Sequence, residues 1–164
     1  MNSYSRDEKL RLIVGRSGSG KNYLIDVFGL VNVASYTTRP MRKDDIDGIN
    51  HTFVTDKEYF ETKKEDMAAY TLYHGYHYWT TFELLSTCSA YDIDPPGVEC
   101  IIANRYKLPN GFVTILLVVP LWKRIHNMRN RKTPWKLIIS RIINDRKVFK
   151  DFEKSGNYDY LIKM

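Results

Sequence analysis

From residue 15 the chain reads Gly15-Arg16-Ser17-Gly18-Ser19-Gly20-Lys21, which fits G-x-x-x-x-G-K. Small residues from Ser17 to Gly20 let successive backbone N–H groups converge on a phosphate. Lys21 then reaches the β- and γ-phosphates of a bound nucleotide, and the helix expected after the loop adds the favourable end of its dipole. Gly15, Ser17, Gly18, Ser19, Gly20, Lys21 and Asn22 are therefore the candidate phosphate-binding residues. Asn22 stands where a Ser or Thr hydroxyl normally meets Mg2+. An amide oxygen approaches such an ion, or orients its water, more weakly. Metal positioning falls to another group, and Asp92 and Asp94, acting through water, are the candidates. Either aspartate also suits a cap or turn before Pro95.

A second feature is a pair of arginines three apart, Arg39 and Arg42, on a polar segment over residues 37–52 that carries Pro40 and Gly48. Guanidinium pairs of this kind suit bidentate phosphate contacts. A third is a basic block. Between Lys123 and Lys150 ten Lys or Arg face a single acid, Asp145, for a net charge of +9, whereas the whole chain carries +6. Such a local excess points to a phosphate-rich partner.

These residues need a scaffold. The length, 164 residues with 43% hydrophobic and 27% charged, suits one domain with one proper core. Leu10 to Val14 is a short β-rich run ended by Gly15, and a helix is expected from Lys21 to Phe28. Val31 to Tyr36 reads as a second short strand. Thr55 and Glu58 form a capping box that starts a helix near Asp56. The aromatic stretch from Tyr70 to Trp79 suits a small antiparallel sheet, and a helix opens between Thr80 and Ser86. Tyr91 to Asp94 reads as a strand end running into a turn at Pro95-Pro96-Gly97. Val113 to Val119 is the clearest buried strand. Arg124 to Asn130 and Pro134 to Lys150 read as helices, and Tyr158 to Ile162 as a last strand. Strands alternating with helices imply an α/β fold with a parallel sheet.

Two cysteines, Cys88 and Cys100, are too few for a disulfide scaffold and read as buried thiols in a reducing compartment. The polar first residues do not read as a signal peptide. The longest apolar run, Val113 to Leu121, falls short of the roughly 20 residues that a membrane span needs.

With these segments in view, the chain resembles the guanylate kinase family of P-loop nucleoside monophosphate kinases, as a divergent member. Ser35-Tyr-Thr-Thr38-Arg39-Pro40-Met-Arg42 resembles the family's S-x-T-T-R-x-P-R, with the proline one place early and both arginines at their spacing, and Gly48-Ile-Asn-His51-Thr-Phe53-Val54 resembles G-x-D-Y-x-F-V. Gly75-Tyr-His-Tyr78-Trp79-Thr80 echoes G-x-x-Y-G-[ST], and Asp92-Ile-Asp94-Pro-Pro-Gly97 echoes D-I-D-x-x-G. The ordered matches run from about residue 10 to residue 162.

The resemblance implies a single domain over residues 1–164. It comprises a parallel sheet flanked by helices, an inserted acceptor-binding arm over 35–80 and a basic helical closing segment over 121–150. It implies transfer of the γ-phosphoryl of ATP, with Mg2+, to a nucleoside or deoxynucleoside monophosphate, GMP or dGMP favoured. Lys21 and the loop would hold ATP. Arg39, Arg42 and Tyr78 would hold the acceptor phosphate, joined by His51 in place of the family tyrosine. Ser35 and Thr80 would help hold the base, and Asp92 would lie between base and metal. Arg141 matches a family arginine that closes over the transferring group. Arg129 and Arg131 compete for a second such role, and Arg124 matches an arginine one turn earlier.

Two departures fall on the base. The family glutamate that reads guanine aligns with Ala69, with Glu65 and Asp66 nearby, and the residue before Thr80 is Trp79 rather than glycine. Alanine cannot accept from guanine N1 and N2. Two other readings stay open. One is a noncatalytic guanylate-kinase-like binding module. The other is a P-loop kinase of polynucleotide ends, with the basic block as its track. The first reading expects a cytoplasmic, phage-like enzyme, monomeric or homodimeric, with no stable nucleic-acid partner and no membrane.

Overall fold

The computed structural model describes residues 9–43, 45–73 and 75–164. The reading of the polar first residues falls mostly on 1–8, and the aromatic stretch includes His74. Both lie outside the described residues.

Strand β1 (Leu10–Gly15) runs into the glycine-rich loop and helix α1 (Lys21–Val27). Next come β2 (Tyr36–Thr37), β3 (Thr52–Phe53), α2 (Asp56–Glu61), β4 (Met67–Tyr73), β5 (Tyr76–Thr81) and α3 (Phe82–Ser86). Strand β6 (Ala90–Ile93), α4 (Pro95–Ala103), β7 (Phe112–Val118), α5 (Leu121–Asn130), α6 (Trp135–Ser155) and β8 (Tyr160–Lys163) complete the chain.

Two four-stranded sheets result. The first is parallel in the order β6-β1-β7-β8. Its centre, β1, is buried on both faces, which is why the sequence there is a continuous apolar run. Alternation along the strand sends Leu12 and Val14 into one cluster with Ile93, Val98, Ile101, Leu116, Phe149 and Phe152. Ile13 points the other way, against Ile25, Ala90 and Leu117. The second sheet is mixed, in the order β3-β2-β5-β4. Within it β2 pairs parallel to β3, and β5 pairs antiparallel to β2 and β4.

The capping box forms at α2: the Thr55 hydroxyl accepts the Glu58 N–H at 3.3 Å, and the Glu58 carboxylate accepts the Thr55 N–H at 2.7 Å. Two segments differ from the sequence reading. Of the expected strand over 31–36, residues 31–35 run beside β6 with a single bridge, Asn32 with Ala90, and Tyr36 alone enters a ladder, as the first residue of β2. The expected turn at Pro95 is a nine-residue helix, α4. Asp94 caps it, its Oδ1 accepting the Gly97 N–H at 2.9 Å, and the prolines fill the first turn, where a missing N–H costs nothing. No helix among the described residues is long and apolar enough to cross a membrane.

Candidate nucleotide site

The loop between β1 and α1 is shaped by its glycines. Gly18 and Gly20 have φ of 78° and 84°, a region that side chains rarely adopt. A Cβ on Gly18 would lie 2.5 Å from the Arg124 carbonyl oxygen, so α5 packs directly on the loop backbone. The Asn127 amide donates to Gly18 O at 2.8 Å on the same contact. Lys21 folds back over the loop, its Nζ donating to Gly15 O at 2.5 Å and standing 3.6 Å from Asp92 Oδ1. Ser19 Oγ is buried and has no hydrogen-bond partner. Asn22 is exposed on α1.

The second sheet gathers the acceptor-side residues. The buried Thr37 hydroxyl accepts the Arg39 N–H at 3.1 Å and turns the chain there. The Thr38 hydroxyl accepts the His77 N–H of β5 at 3.1 Å. Arg39 is itself buried. Its Nη1 pairs with Asp45 at 2.9 Å, and the guanidinium lies 5.2 Å from the Phe53 ring centroid. Burial pushes the Asp45 carboxyl up, but the Arg42 N–H and the Arg39 guanidinium outweigh it and hold the group below its ordinary value. His51 shares a hydrogen bond with Ser35 Oγ at 3.0 Å and meets the Tyr78 ring edge-on at 5.6 Å. Burial, then the Arg39 charge, pull the His51 pKa down, so the ring is neutral at pH 7.

Thr80 is fully buried and its hydroxyl has no partner. Beside it across the ladder is Ala69, in register with Thr80 and packed in the core cluster. Strand β4 carries a bulge between Met67 and Ala69, which buries both Ala68 and Ala69. Glu65 and Asp66 sit exposed in the turn before β4. Trp79 stacks on Tyr36 at 5.4 Å and meets the Tyr59 ring edge-on at 5.1 Å. The aromatic stretch thus packs much of the second sheet.

Helix α6 supplies the third side. Arg141, Asp145, Phe149 and Glu153 recur every four residues and share one face. Glu153 takes Arg16 in a two-point pair at 3.0 and 2.8 Å, and the Arg16 guanidinium lies 5.5 Å from the Phe149 ring centroid. Asp145 accepts both the Ser17 N–H, at 2.8 Å, and the Ser17 hydroxyl, at 3.1 Å. Burial lowers the Arg141 pKa, and the nearby charges of Arg42 and Arg131 lower it further.

The remaining candidates lie elsewhere. Arg129 reaches the turn between α5 and α6, donating to Thr133 O at 3.4 Å and covering Trp135 at 5.1 Å. The Asp94 carboxylate is committed to Gly97 and to the Thr71 hydroxyl, at 3.3 Å. Burial raises its pKa despite those bonds. Sequence reasoning did not single out Asp145 or Asn127 as site residues. The signal for Asp145 was its isolation as the only acid in the basic block.

A guanylate kinase from Buchnera aphidicola is 30% identical over 171 residues, covering 93% of this chain and 78% of that protein. The chain belongs to the guanylate kinase family. A guanylate kinase from Sulfurimonas denitrificans is 27% identical over 164 residues, covering 92% of the chain and 77% of its own length. Among solved structures, guanylate kinase from Anaplasma phagocytophilum superposes with a TM-score of 0.60 at 18% identity, covering 97% of this chain and 79% of the other. The fold is that of the P-loop nucleoside monophosphate kinases, with a parallel core sheet flanked by helices and a smaller mixed sheet. No family model matches the chain, in keeping with a divergent member.

Proposed function

We propose that this guanylate kinase family member transfers the γ-phosphoryl of ATP to a nucleoside or deoxynucleoside monophosphate, GMP and dGMP favoured. The observation that carries the reading is the intact glycine-rich loop at the end of β1, with Lys21 folded over it. Lys21 and Arg39 are each paired with an aspartate, Asp92 and Asp45, and a bound phosphate would compete for those cations. The acceptor brings its own nucleophilic phosphate oxygen, so catalysis reduces to positioning and charge neutralisation. In this reading Arg39, Arg42 and Tyr78 align the acceptor and His51 donates to its phosphate. Arg141 covers the transferring group. Arg129, which covers Trp135, and Arg131 compete for the second closing role.

Among the described residues no three His, Cys, Asp or Glu gather around a common point. That fits Mg2+ arriving with ATP, since this ion keeps several waters and takes one or two protein oxygens beside the phosphates. Asp92 and Asn22 are the residues that would hold it. Held there, Mg2+ would supply charge neutralisation for the phosphates. Asp94, spent on the α4 cap, would act at most through water.

The base side supports looser recognition. Thr80 Oγ1 is an unsatisfied buried hydroxyl that a base edge would satisfy, and Ser35 Oγ is within reach of His51. At Ala69 no carboxylate is present to read guanine N1 and N2. The reading is tested with Lys21→Ala and Arg39→Ala in a coupled ADP-release assay. Each is expected to lower kcat/KM by about 100-fold or more, Lys21→Ala through the donor and Arg39→Ala through the acceptor. Turnover unchanged in both variants would remove the assignment.

A further inference from the structure

The phosphate loop rests on a carboxylate. Asp145 is 7% exposed and takes three hydrogen bonds, from the Ser17 N–H at 2.8 Å, the Ser17 hydroxyl at 3.1 Å and Arg124 Nη1 at 3.1 Å. Arg124 is 4% exposed and also donates to Ser17 O, at 3.4 Å. One loop residue is thus gripped at its N–H, its hydroxyl and its carbonyl by a buried ion pair from two helices. Asp145 is also the only acid between Lys123 and Lys150. A negative charge under a loop that must receive a polyphosphate opposes the ligand unless it is compensated. Arg124 is the cation that pairs with it.

We propose that Arg124 and Asp145 are a charge-compensated positioning pair: Asp145 fixes Ser17, and Arg124 cancels its charge so that the loop can accept the donor nucleotide. The pair acts through the loop and does not touch the reacting atoms. It rests on the kinase reading only in naming ATP as the ligand. A purely structural latch would be weakened by losing either partner. Charge compensation gives the two losses opposite signs. Removing Arg124 leaves an uncompensated buried carboxylate beneath the phosphates. Removing the Asp145 charge leaves an additional cation there, while an Asn side chain still accepts from Ser17.

The test is calorimetric titration of ATP into the full chain as wild type, Arg124→Met, Asp145→Asn and the double variant, a cycle that isolates the pairwise effect. Arg124→Met is expected to bind ATP about tenfold more weakly. Asp145→Asn is expected to bind it at least as tightly as wild type. The double variant is expected to return to within about threefold of wild type. Weaker binding in both single variants, a double variant no better than Arg124→Met, or wild-type affinity in Arg124→Met would each overturn the proposal. Should Arg124→Met not fold, Arg124→Lys keeps the charge without the fork and is expected to stay within about threefold of wild type. A tenfold loss there would count against charge compensation. A wild-type protein that binds no ATP would overturn the kinase reading itself and take the proposed ligand with it. Wild-type ATP binding together with any of those three outcomes would overturn the pair alone.

Discussion

Replacing Gly18 with alanine should damage the protein more than replacing Gly20, although both residues have φ near 80°. An alanine held in the left-handed region costs about 1–2 kcal/mol at either position. At Gly20 little is added, because a new Cβ would find only Met164 Cε at 3.9 Å. At Gly18 the new Cβ would lie 2.5 Å from the Arg124 carbonyl oxygen and 3.2 Å from its carbonyl carbon. Both are backbone atoms of α5, so no rotamer change relieves the contact. Helix and loop must part by about half an ångström or more, which loosens the 2.8 Å bond from Asn127 to Gly18 O and the 3.4 Å bond from Arg124 to Ser17 O. Each weakened hydrogen bond is worth about 1 kcal/mol. Gly18→Ala should therefore lose about 3 kcal/mol and Gly20→Ala about half that. For a chain of this size each kcal/mol moves Tm by about 2–4 °C. Thermal unfolding followed by circular dichroism should give a drop of about 6–12 °C for Gly18→Ala and about 3–6 °C for Gly20→Ala. Equal shifts for the two variants would refute the direct packing of α5 on the loop.

Thr80→Val should separate stability from binding. It removes a buried, unpartnered hydroxyl while keeping the side-chain shape, so Tm should rise by a few degrees, for a gain of about 1 kcal/mol, while the acceptor KM rises. A drop in Tm, or an unchanged KM, would count against the hydroxyl as a base contact. His51 gives a pH signature. Its pKa is lowered by burial first and by Arg39 second, and a bound phosphate dianion favours the protonated ring. Acceptor KM should therefore fall as pH is lowered from about 7.5 to 6, and His51→Phe should flatten that dependence. Because the folded-state pKa is depressed, the unfolded chain binds the extra proton below the ordinary histidine value of about 6.5. The stability tied to His51 is thus lost as pH falls through that window, and His51→Phe should reduce the acid sensitivity of Tm.

The loop was legible because its chemistry is local: seven consecutive residues between a strand and a helix. Arg39 and Arg42 were legible for the same reason, three residues apart on one segment. Helix α4 was missed because Pro95-Pro96 was read as a turn. Asp94 followed by proline is equally a helix start, the Asn/Asp/Ser/Thr cap with proline in the first turn. Asp145 was missed for a different reason. Its contacts with Ser17 span 128 positions of sequence, and its isolation among the basic residues marks it without naming that partner. The bulge at Met67/Ala69 was equally hidden, since register is set by packing against the neighbouring strand and not by the local residues. Arg129 and Arg131 could not be separated from spacing alone. The turn after α5 brings the Arg129 guanidinium over the Trp135 ring, a contact that spacing does not show.

Acceptor-dependent ADP release in Mg-ATP, measured with the full set of common ribo- and deoxyribonucleoside monophosphates, tests phosphoryl transfer most directly. The expected result is turnover that requires an acceptor, is highest with GMP or dGMP, and discriminates between bases by less than about 200-fold, as befits a pocket without a guanine-reading carboxylate. ATP binding with no acceptor-dependent ADP release from any member of the set would contradict the assignment and leave a nucleotide-binding module in its place.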